Sequence, residues 1–209
     1  MDRAQEIEGL KQLLKDLAHG VAVACMIPAL VSFHVRAFFY GRDRALQGST
    51  QALGVLPGLL GQYLRRAFLC QVLAECHRSC CIEFGVLFSR AGARIRENVY
   101  IGPRSHIGLA DIGKDVMLAA GVHVPSGART HGTDDPSIPM REQEGRLQMV
   151  TIGEGAWIGQ AAVVLADVGR HSIVGAGAVV TKPVPDHVVA AGVPAKVIRS
   201  RLDETARRG

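Results

Sequence analysis

The residues of this chain that could do chemistry are concentrated in one polar segment, residues 127–140, with the sequence GARTHGTDDPSIPM. His131 lies near its start, and Asp134 and Asp135 follow before a proline. An unperturbed imidazole titrates at about pH 6.5, so a histidine can accept a proton from a substrate at neutral pH. The two carboxylates could bind hydroxyl groups or orient the ring, although Asp-Asp-Pro is also ordinary turn chemistry. The segment predicts either a proton-transfer site at His131 or a surface loop whose histidine makes local hydrogen bonds.

The five cysteines predict reduced thiols rather than disulfides. Their number is odd and their spacing has no framework pattern, as expected in a reducing compartment. Four potential zinc ligands are clustered in the sequence: Cys76, His77, Cys80 and Cys81. No second Cys or His pair follows at the interval of a zinc finger, so no metal is expected there.

A recurrence of about six residues surrounds the polar segment and must position it. Neither a helix nor an alternating strand has this period, and an antiparallel sheet would alternate in longer runs. Glycine follows the aliphatic residue at several of the repeats, as corners with tight or positive backbone angles require. The pattern predicts three-sided coils of short parallel strands, with the recurring residues pointing inward. Those residues are Ile82, Phe88, Ile95, Ile101, Ile107, Ile112, Leu118 and Val124.

Three blocks of this repeated region resemble the hexapeptide-repeat acyltransferases. They read IGPRSHIGLADIGKDVMLAAGVHV, VTIGEGAWIGQAAVVLADVGRHSIVGAGAVVTKPVP and VVAAGVPAKVIRSR, and the resemblance covers roughly residues 82 to 200. Within the family, the likeness is nearest to sugar and galactoside O-acetyltransferases and to the acetyltransferases of polysaccharide synthesis. The resemblance implies a mainly β protein, a left-handed parallel β-helix with an α-helical N-terminal segment. It also implies a homotrimer that transfers an acetyl group from acetyl-CoA to a hydroxyl of a sugar or glycan, without a metal.

The same resemblance implies roles for individual residues. His131 is the expected general base, which removes the proton from the sugar hydroxyl as that oxygen attacks the thioester. Ser126, Asp134 and Asp135 are expected near the acceptor, and Ser126 is also the one hydroxyl to test for a covalent route. CoA is expected in a groove between subunits, along the outside of the coils. Its predicted contacts are Gln160, Ala176, Thr181, Lys182, Lys196 and Arg199.

Three alternatives to an O-acetyltransferase remain at the level of sequence. An N-acetyltransferase of an amino sugar nucleotide would share the fold and the base. A β-helix scaffold without activity would not bind CoA. The third alternative is a metal hydratase similar to the γ-class carbonic anhydrases, which three histidines on the β-helix suggest: His106, His123 and His171. The separation of His123 and His131 does not match that signature, so structural or solvent-facing roles are expected for these three histidines.

The chain divides into three predicted parts: residues 1–81, the β-helix domain 82–190 with a catalytic loop at 127–150, and a C-terminal segment 191–209. Gln5 to Leu17 reads as a charged amphipathic helix, and the uncharged runs from Val21 to Phe33 and from Leu53 to Leu64 are too short to span a bilayer. These helices are expected either to cap the β-helix or to attach peripherally to a membrane. In the second case five arginines would face anionic headgroups: Arg36, Arg42, Arg44, Arg65 and Arg66.

The overall charge excludes one class of partner. Lys and Arg number 24 against 19 Asp and Glu, a net charge of +5 that is compatible with phosphate-bearing ligands or an anionic membrane surface. With three Tyr and one Trp and no basic-aromatic interleaving, nucleic acid is not an expected partner. The N-terminus has no evident signal peptide, so the protein is expected in the cytoplasm or at the inner face of the cytoplasmic membrane.

Overall fold

A computed structural model describes residues 3–202 of the chain, in which helices are followed by a stack of short strands. The helices are α1 (Arg3–Cys25), α2 (Ile27–Tyr40), α3 (Arg42–Gly54) and α4 (Gly58–Val72). The strands are β1 (Glu75–Cys76), β2 (Cys81–Ile82), β3 (Leu87–Phe88), β4 (Arg94–Ile95), β5 (Tyr100–Ile101), β6 (His106–Ile107), β7 (Ala110–Ile112), β8 (Met117–Leu118), β9 (His123–Val124), β10 (Val150–Ile152), β11 (Trp157–Ile158), β12 (Val163–Val164), β13 (Ile173–Val174), β14 (Val179–Val180), β15 (Val188–Ala191) and β16 (Lys196–Ser200). Residues 203–209 of the predicted C-terminal segment lie outside the described residues.

The strands form a parallel β-solenoid of about 6 turns with three faces. Face 1 contains β1, β4, β7 and β10, and single bridges at Val168 and Val184 extend it. Face 2 contains β2, β5, β8, β11, β13, β15 and β16, and face 3 contains β3, β6, β9, β12 and β14. The pairing is parallel except between β15 and β16. The predicted β-helix with an α-helical N-terminal segment is confirmed.

The inner positions of the coils form the core. All eight recurring residues from Ile82 to Val124 are buried to 1% exposure or less, and Ile158, Val164 and Val180 continue their rows. Parallel register places like residues above one another, for example Ile82 above Ile101. Because each strand exposes alternate residues to opposite sides, one inward aliphatic per strand fills the prism. The sixfold recurrence therefore predicted the core correctly.

The corners between faces use left-handed backbone angles. Gly85, Gly121, Gly155 and Gly177 have positive φ. The glycines that follow the aliphatic residues do not, and they are required by tight packing instead: a Cβ on Gly102 would lie 2.6 Å from Ala119 C. Several corners place other residues at positive φ, which costs more than glycine because the Cβ crowds the carbonyl. These residues are Asn98, Arg104, Asp115, Ser126, Ala161, His171 and His187.

The helices form a two-layer cap on the first coil. α3 packs on β3, α4 packs on β1 and β2, and α1 and α2 form the outer layer on α3 and α4. Phe33 of α2 and Phe68 of α4 are fully buried and meet edge to face at 5.8 Å. Leu46, Leu69 and Val72 join the same apolar cluster as the solenoid core. The cap and the solenoid therefore share one continuous core.

Arg65 joins the cap to the solenoid and corrects a prediction. Its guanidinium is 2% exposed and donates hydrogen bonds to the carbonyls of Leu53, Leu56 and Ile82. Burial lowers the pKa of Arg65, although Glu83 nearby favours its charged form. Arg36 is also turned inward, with Nη2 2.8 Å from Ser49 Oγ. The expectation that Arg36 and Arg65 face lipid headgroups is wrong, because backbone carbonyls and a hydroxyl of the cap accept their bonds.

The outward side chains differ in chemistry from face to face. On face 1 they are charged or polar: Glu75, Arg94, Asp111 and Thr151. On face 2 they are mostly apolar: Cys81, Tyr100, Met117, Trp157, Ile173 and Val189. On face 3 they are aliphatic residues with two histidines: Leu87, His106, His123, Val163 and Val179. The prism thus has one solvent-compatible face and two apolar ones.

Among the described residues, no single helix has the length and hydropathy to cross a membrane. Lys15–Cys25 and Ile27–Tyr40 reach that length and hydropathy only together, and they are bent by 51° at the break between them.

Candidate functional site

The predicted catalytic loop leaves the solenoid at the corner between face 3 and face 1, after β9 and before β10. Its two arms approach each other to form a neck. Gln148 N donates to Ser126 O at 2.9 Å, and Arg146 N donates to Arg129 O at 2.7 Å. A Cβ on Gly145 would lie 2.0 Å from Thr130 O, so glycine is required for the arms to close. The neck gives the loop a fixed base on the solenoid.

His131 lies at the outer end of this neck. Its side chain is exposed, and no hydrogen bond or ion pair holds its imidazole within the described part of the chain. Gly132 beside it and Gly145 opposite it are both too tightly packed to accept a Cβ without a shift. The backbone of His131 is therefore fixed by the neck, while both ring nitrogens remain available to a substrate or to another chain.

The outer part of the loop is held by Asp135 and Gln143. Asp135 Oδ1 accepts hydrogen bonds from Ser137 N at 2.8 Å and Ser137 Oγ at 2.6 Å, which lower the pKa of this carboxyl. Gln143 Nε2 donates to Asp135 O and Ile138 O at 2.6 and 2.8 Å. Asp134, by contrast, is exposed and has no such bond. The two aspartates therefore differ: Asp135 organises the loop, and Asp134 is open to a ligand.

Ser126 lies beneath the neck, in a corner rather than in an open site. It is 2% exposed, and its Oγ accepts a hydrogen bond from Leu109 N at 2.7 Å. Gly108 passes so close that a Cβ there would lie 2.3 Å from this oxygen. Because the hydroxyl is buried and bonded, we leave Ser126 out of the proposed acceptor site.

A cavity of about 730 Å³ lies between the neck and the corners of the next two coils. Thr181, predicted as a CoA contact, is part of its wall, and Lys182 is the exposed neighbour. Arg129 and Arg146 line the neck side of the cavity, opposite Leu165, Ala166, Asp167 and Pro183. Sequence reasoning missed the two arginines, because only the folded neck brings Arg129 and Arg146 together.

Gln160 and Ala176 lie at a different edge of face 3, the corner between face 2 and face 3. Gln160 borders a shallow cavity of about 420 Å³ with Phe84, Arg104, Gly121 and Ala161. Ala176 is exposed in the next coil, where Gly177 N donates to Gln160 O at 2.7 Å. The predicted CoA contacts are therefore split between the two edges of face 3. Lys196 and Arg199 lie elsewhere, exposed on β16 at the end of face 2.

Four other histidines form two ring pairs on the solenoid, one tilted and one stacked. His106 and His123 are cross-strand neighbours on face 3, with ring centroids 6.3 Å apart. Burial lowers the pKa of His106, and His123 adds to the effect. His171 and His187 stack at 5.3 Å at the corner between face 1 and face 2. Within residues 3–202, no group of three or more His, Cys, Asp or Glu is arranged to hold a metal ion.

Comparison with known proteins gives relatives with a shared activity. A putative lipopolysaccharide biosynthesis O-acetyltransferase, WbbJ of Escherichia coli, is 31% identical over 130 residues, which cover 58% of this chain and 64% of that protein. The chain thus spans less than two thirds of this relative's length. A galactoside O-acetyltransferase of Lactococcus lactis is 27% identical over 85% of this chain and 91% of its own. No protein-family model matches the sequence.

Two solved structures share the fold. A maltose O-acetyltransferase from Clostridium difficile superposes with a TM-score of 0.64 at 21% identity, covering 76% of this chain and 87% of that one. The N-acyltransferase AntD from Bacillus cereus, solved with dTDP and coenzyme A, has a TM-score of 0.52 at 17% identity, covering 62% and 76%. The chain is therefore a β-solenoid, and its relatives by sequence are O-acetyltransferases of the hexapeptide-repeat family.

Proposed function

We propose that this protein is an acetyltransferase that moves an acetyl group from acetyl-CoA to a hydroxyl of a sugar or glycan, with His131 as general base. The observation that carries the proposal is the glycine-closed neck, which fixes His131 outside the solenoid with its ring unbonded. The O-acetyltransferase relatives supply the reaction class. The likeness to the lipopolysaccharide relative supports a role in the synthesis of surface polysaccharide, in the cytoplasm or at the inner face of the cytoplasmic membrane.

The chemistry needs one base and one thioester. Neutral imidazole of His131 removes the proton as the acceptor oxygen attacks the thioester carbonyl carbon. The tetrahedral intermediate then collapses, the C–S bond breaks, and the imidazolium returns its proton to the leaving CoA sulfur. A backbone N–H of a neighbouring coil would stabilise the oxyanion. Asp134, rather than Asp135, is the carboxylate available to accept hydrogen bonds from the sugar, because Asp135 already accepts two hydrogen bonds from Ser137.

The position of the CoA contacts supports a site made by two subunits. Gln160 and Ala176 lie at one edge of face 3, whereas Thr181 and Lys182 lie at the other. If faces 2 and 3 both contact neighbouring subunits, the corner between them lies near the three-fold axis and the corner between face 3 and face 1 lies at the outer rim of the interface. CoA bound along this interface would have to extend across face 3 to contact both Gln160 and Thr181. Lys196 and Arg199 would meet the phosphates of CoA only if the nucleotide end reaches β16.

The surface of the solenoid supports the homotrimer as well. Faces 2 and 3 present apolar ladders, and Met117 and Trp157 on face 2 remain 44% and 46% exposed in one chain. Face 1 instead carries ion pairs, such as Arg96 with Asp111 at 3.0 Å. Contiguous exposed apolar side chains of this kind mark interfaces with other chains. We expect faces 2 and 3 to point toward the other subunits and face 1 toward solvent.

The test is acetyl transfer by the purified protein against a panel of sugars, amino sugars and sugar nucleotides. Thiol release from acetyl-CoA should require a hydroxyl acceptor and fall at least ~100-fold in His131→Ala, the usual contribution of a general base. His34→Ala, which removes an exposed histidine of α2, is the matched control and should retain the activity.

The products distinguish the alternatives. An ester product is cleaved by hydroxylamine, whereas an amide product resists it and would establish the N-acetyltransferase instead. Equal rates in His131→Ala and the wild type would remove His131 from the mechanism. If calorimetry detects no CoA binding, the remaining alternative is that the β-helix is a non-catalytic scaffold.

A further inference from the structure

The outward side of α2 is an unpartnered apolar surface. Ile27, Val31 and Val35 follow one another at intervals of four residues and are 53–58% exposed. Phe38 and Phe39 extend the row and are 85% and 70% exposed. A spacing of four residues places side chains on one side of a helix. We refer to these five residues as the α2 surface.

The α2 surface has no permanent charge because the one arginine of α2 is directed into the cap. Arg36 donates to Ser49 Oγ at 2.8 Å, to Ala45 O at 3.4 Å and to Ser32 O at 3.2 Å. Burying the only cation of the helix against α3 leaves the opposite side to apolar groups. A soluble surface helix would normally carry its charges on the outward side.

A basic cavity adjoins the aromatic end of the α2 surface. It has a volume of about 490 Å³, and its wall contains Tyr40, Arg42, Asp43, Arg44 and Arg90. Asp43 is neutralised by Arg90, with Oδ2 2.9 Å from Nη1. Arg42 donates to Val72 O at 2.8 Å. Arg44 remains exposed, so three arginines and one aspartate leave the cavity with an excess of positive charge.

We propose that the α2 surface docks on a bilayer of anionic phospholipid, with α2 lying in the interface and the Arg44 cavity receiving a lipid phosphate. The apolar outward side of the helix and the basic cavity at its end match the two layers of a membrane surface. With the helix axis parallel to the bilayer plane, the five side chains of the α2 surface would point toward the acyl chains, and the arginines of the cavity would lie at the phosphates. The complementarity of charge with anionic headgroups is the reason to assign lipid rather than a second protein chain.

The length of α2 limits the mode of attachment. Its 14 residues extend about 21 Å, less than the ~30 Å hydrocarbon core of a bilayer. α1 continues the apolar character with Leu13, Leu17 and Val21, which are also spaced by four and exposed. The helices diverge at a 51° bend. Attachment in the plane of the interface follows, rather than insertion across the bilayer.

The experiment is flotation of the full-length protein with vesicles. Wild-type protein should bind vesicles of phosphatidylcholine with about a third phosphatidylglycerol and bind pure phosphatidylcholine weakly. The double variant Phe38→Ser, Phe39→Ser should lower partitioning at least ~10-fold on both, because buried apolar area drives insertion. Arg44→Glu should lower binding about 10-fold on the anionic vesicles and leave the weak phosphatidylcholine binding unchanged. Ile198→Ser, an exposed apolar residue at the opposite end of the solenoid, is the matched control.

Three results would overturn the proposal. Wild-type protein that binds neither vesicle, or a Phe38, Phe39 variant that binds as the wild type does, would exclude lipid docking. The third result combines no vesicle binding by the wild type with a smaller assembly of the Phe38, Phe39 variant in sedimentation without lipid. It would show that the α2 surface is an interface between copies of the chain. Acetyl transfer to a soluble sugar should be unchanged in the double variant, since α2 is in the outer layer of the cap. Failure of the membrane proposal and failure of the proposed function are therefore separately visible.

Discussion

At the scale of single residues, Arg65 is the largest fully buried side chain of the chain's described part. Its bonds to the carbonyls of Leu53, Leu56 and Ile82 join the end of α3 to the first coil, although Leu53 O also accepts a hydrogen bond from Leu56 N at 3.3 Å. The guanidinium is suited to this because its donors are planar and fixed, so that one side chain reaches three carbonyls.

Replacing Arg65 by Met should therefore lower the free energy of unfolding by about 3 kcal/mol, since buried acceptors lose their donors. Urea denaturation measures the loss. Arg66→Met is the matched control: Arg66 is half-buried and lies over Tyr63 at 4.6 Å, so its replacement should cost about 1 kcal/mol. Equal losses in the two variants would contradict the connecting role of Arg65.

His106 should make stability depend on pH. Burial, and then His123, lowers the pKa of His106 in the folded chain. Below the unfolded pKa of about 6.5 the unfolded chain binds more protons than the folded one, so stability falls as the pH decreases through this window. The variant His106→Gln should lose less stability than the wild type between pH 7.5 and pH 5.5. Urea midpoints at the two pH values give the comparison, and parallel losses would refute it.

At the scale of elements, the loop neck positions His131 through glycine. A Cβ on Gly145 would press on Thr130 O at 2.0 Å and on His131 N at 2.7 Å, so the arms would have to separate. Gly145→Ala should reduce kcat/KM for acetyl transfer about 100-fold, because small displacements of a catalytic group are costly. Thermal unfolding should change little, since the loop is exposed. Gly20→Ala in α1, where nothing lies within 4 Å, is the control that should keep full activity.

The elements also show how far sequence reasoning reaches. The inward residues of the coils were predictable because the spacing of Ile101 and Ile107 reflects local strand and corner geometry. The cavities beside Gln160 and Thr181 were not, because the residues that line each cavity come from different coils. The direction of Arg36 was also hidden, since α2 is apolar on both sides and only packing on α3 decides which side is buried.

At the scale of the whole molecule, the apolar faces predict how copies assemble. Trp157 is centred on face 2 between Met117 and Ile173. Trp157→Glu should therefore convert the expected trimer to monomers, because a charge buried without a partner is strongly unfavourable. Sedimentation equilibrium measures the mass. Thr151→Lys on the charged face 1 should leave the assembly intact; if both variants stay trimeric, face 2 is not the interface.

The cap of helices has a consequence for the length of the stack. A solenoid ends in strands whose backbone N–H and C=O groups are ready to pair with another chain, which is the route to fibrous aggregates. At one end α3 and α4 cover the first coil, and at the other β16 pairs antiparallel with β15 at the end of face 2. The helices offer no strand edge to a further coil, and β16 runs opposite to the parallel strands of the stack. The helical cap therefore also prevents end-to-end polymerisation of the solenoid. Covering the first coil with helices leaves apolar side chains on the outer layer of the cap.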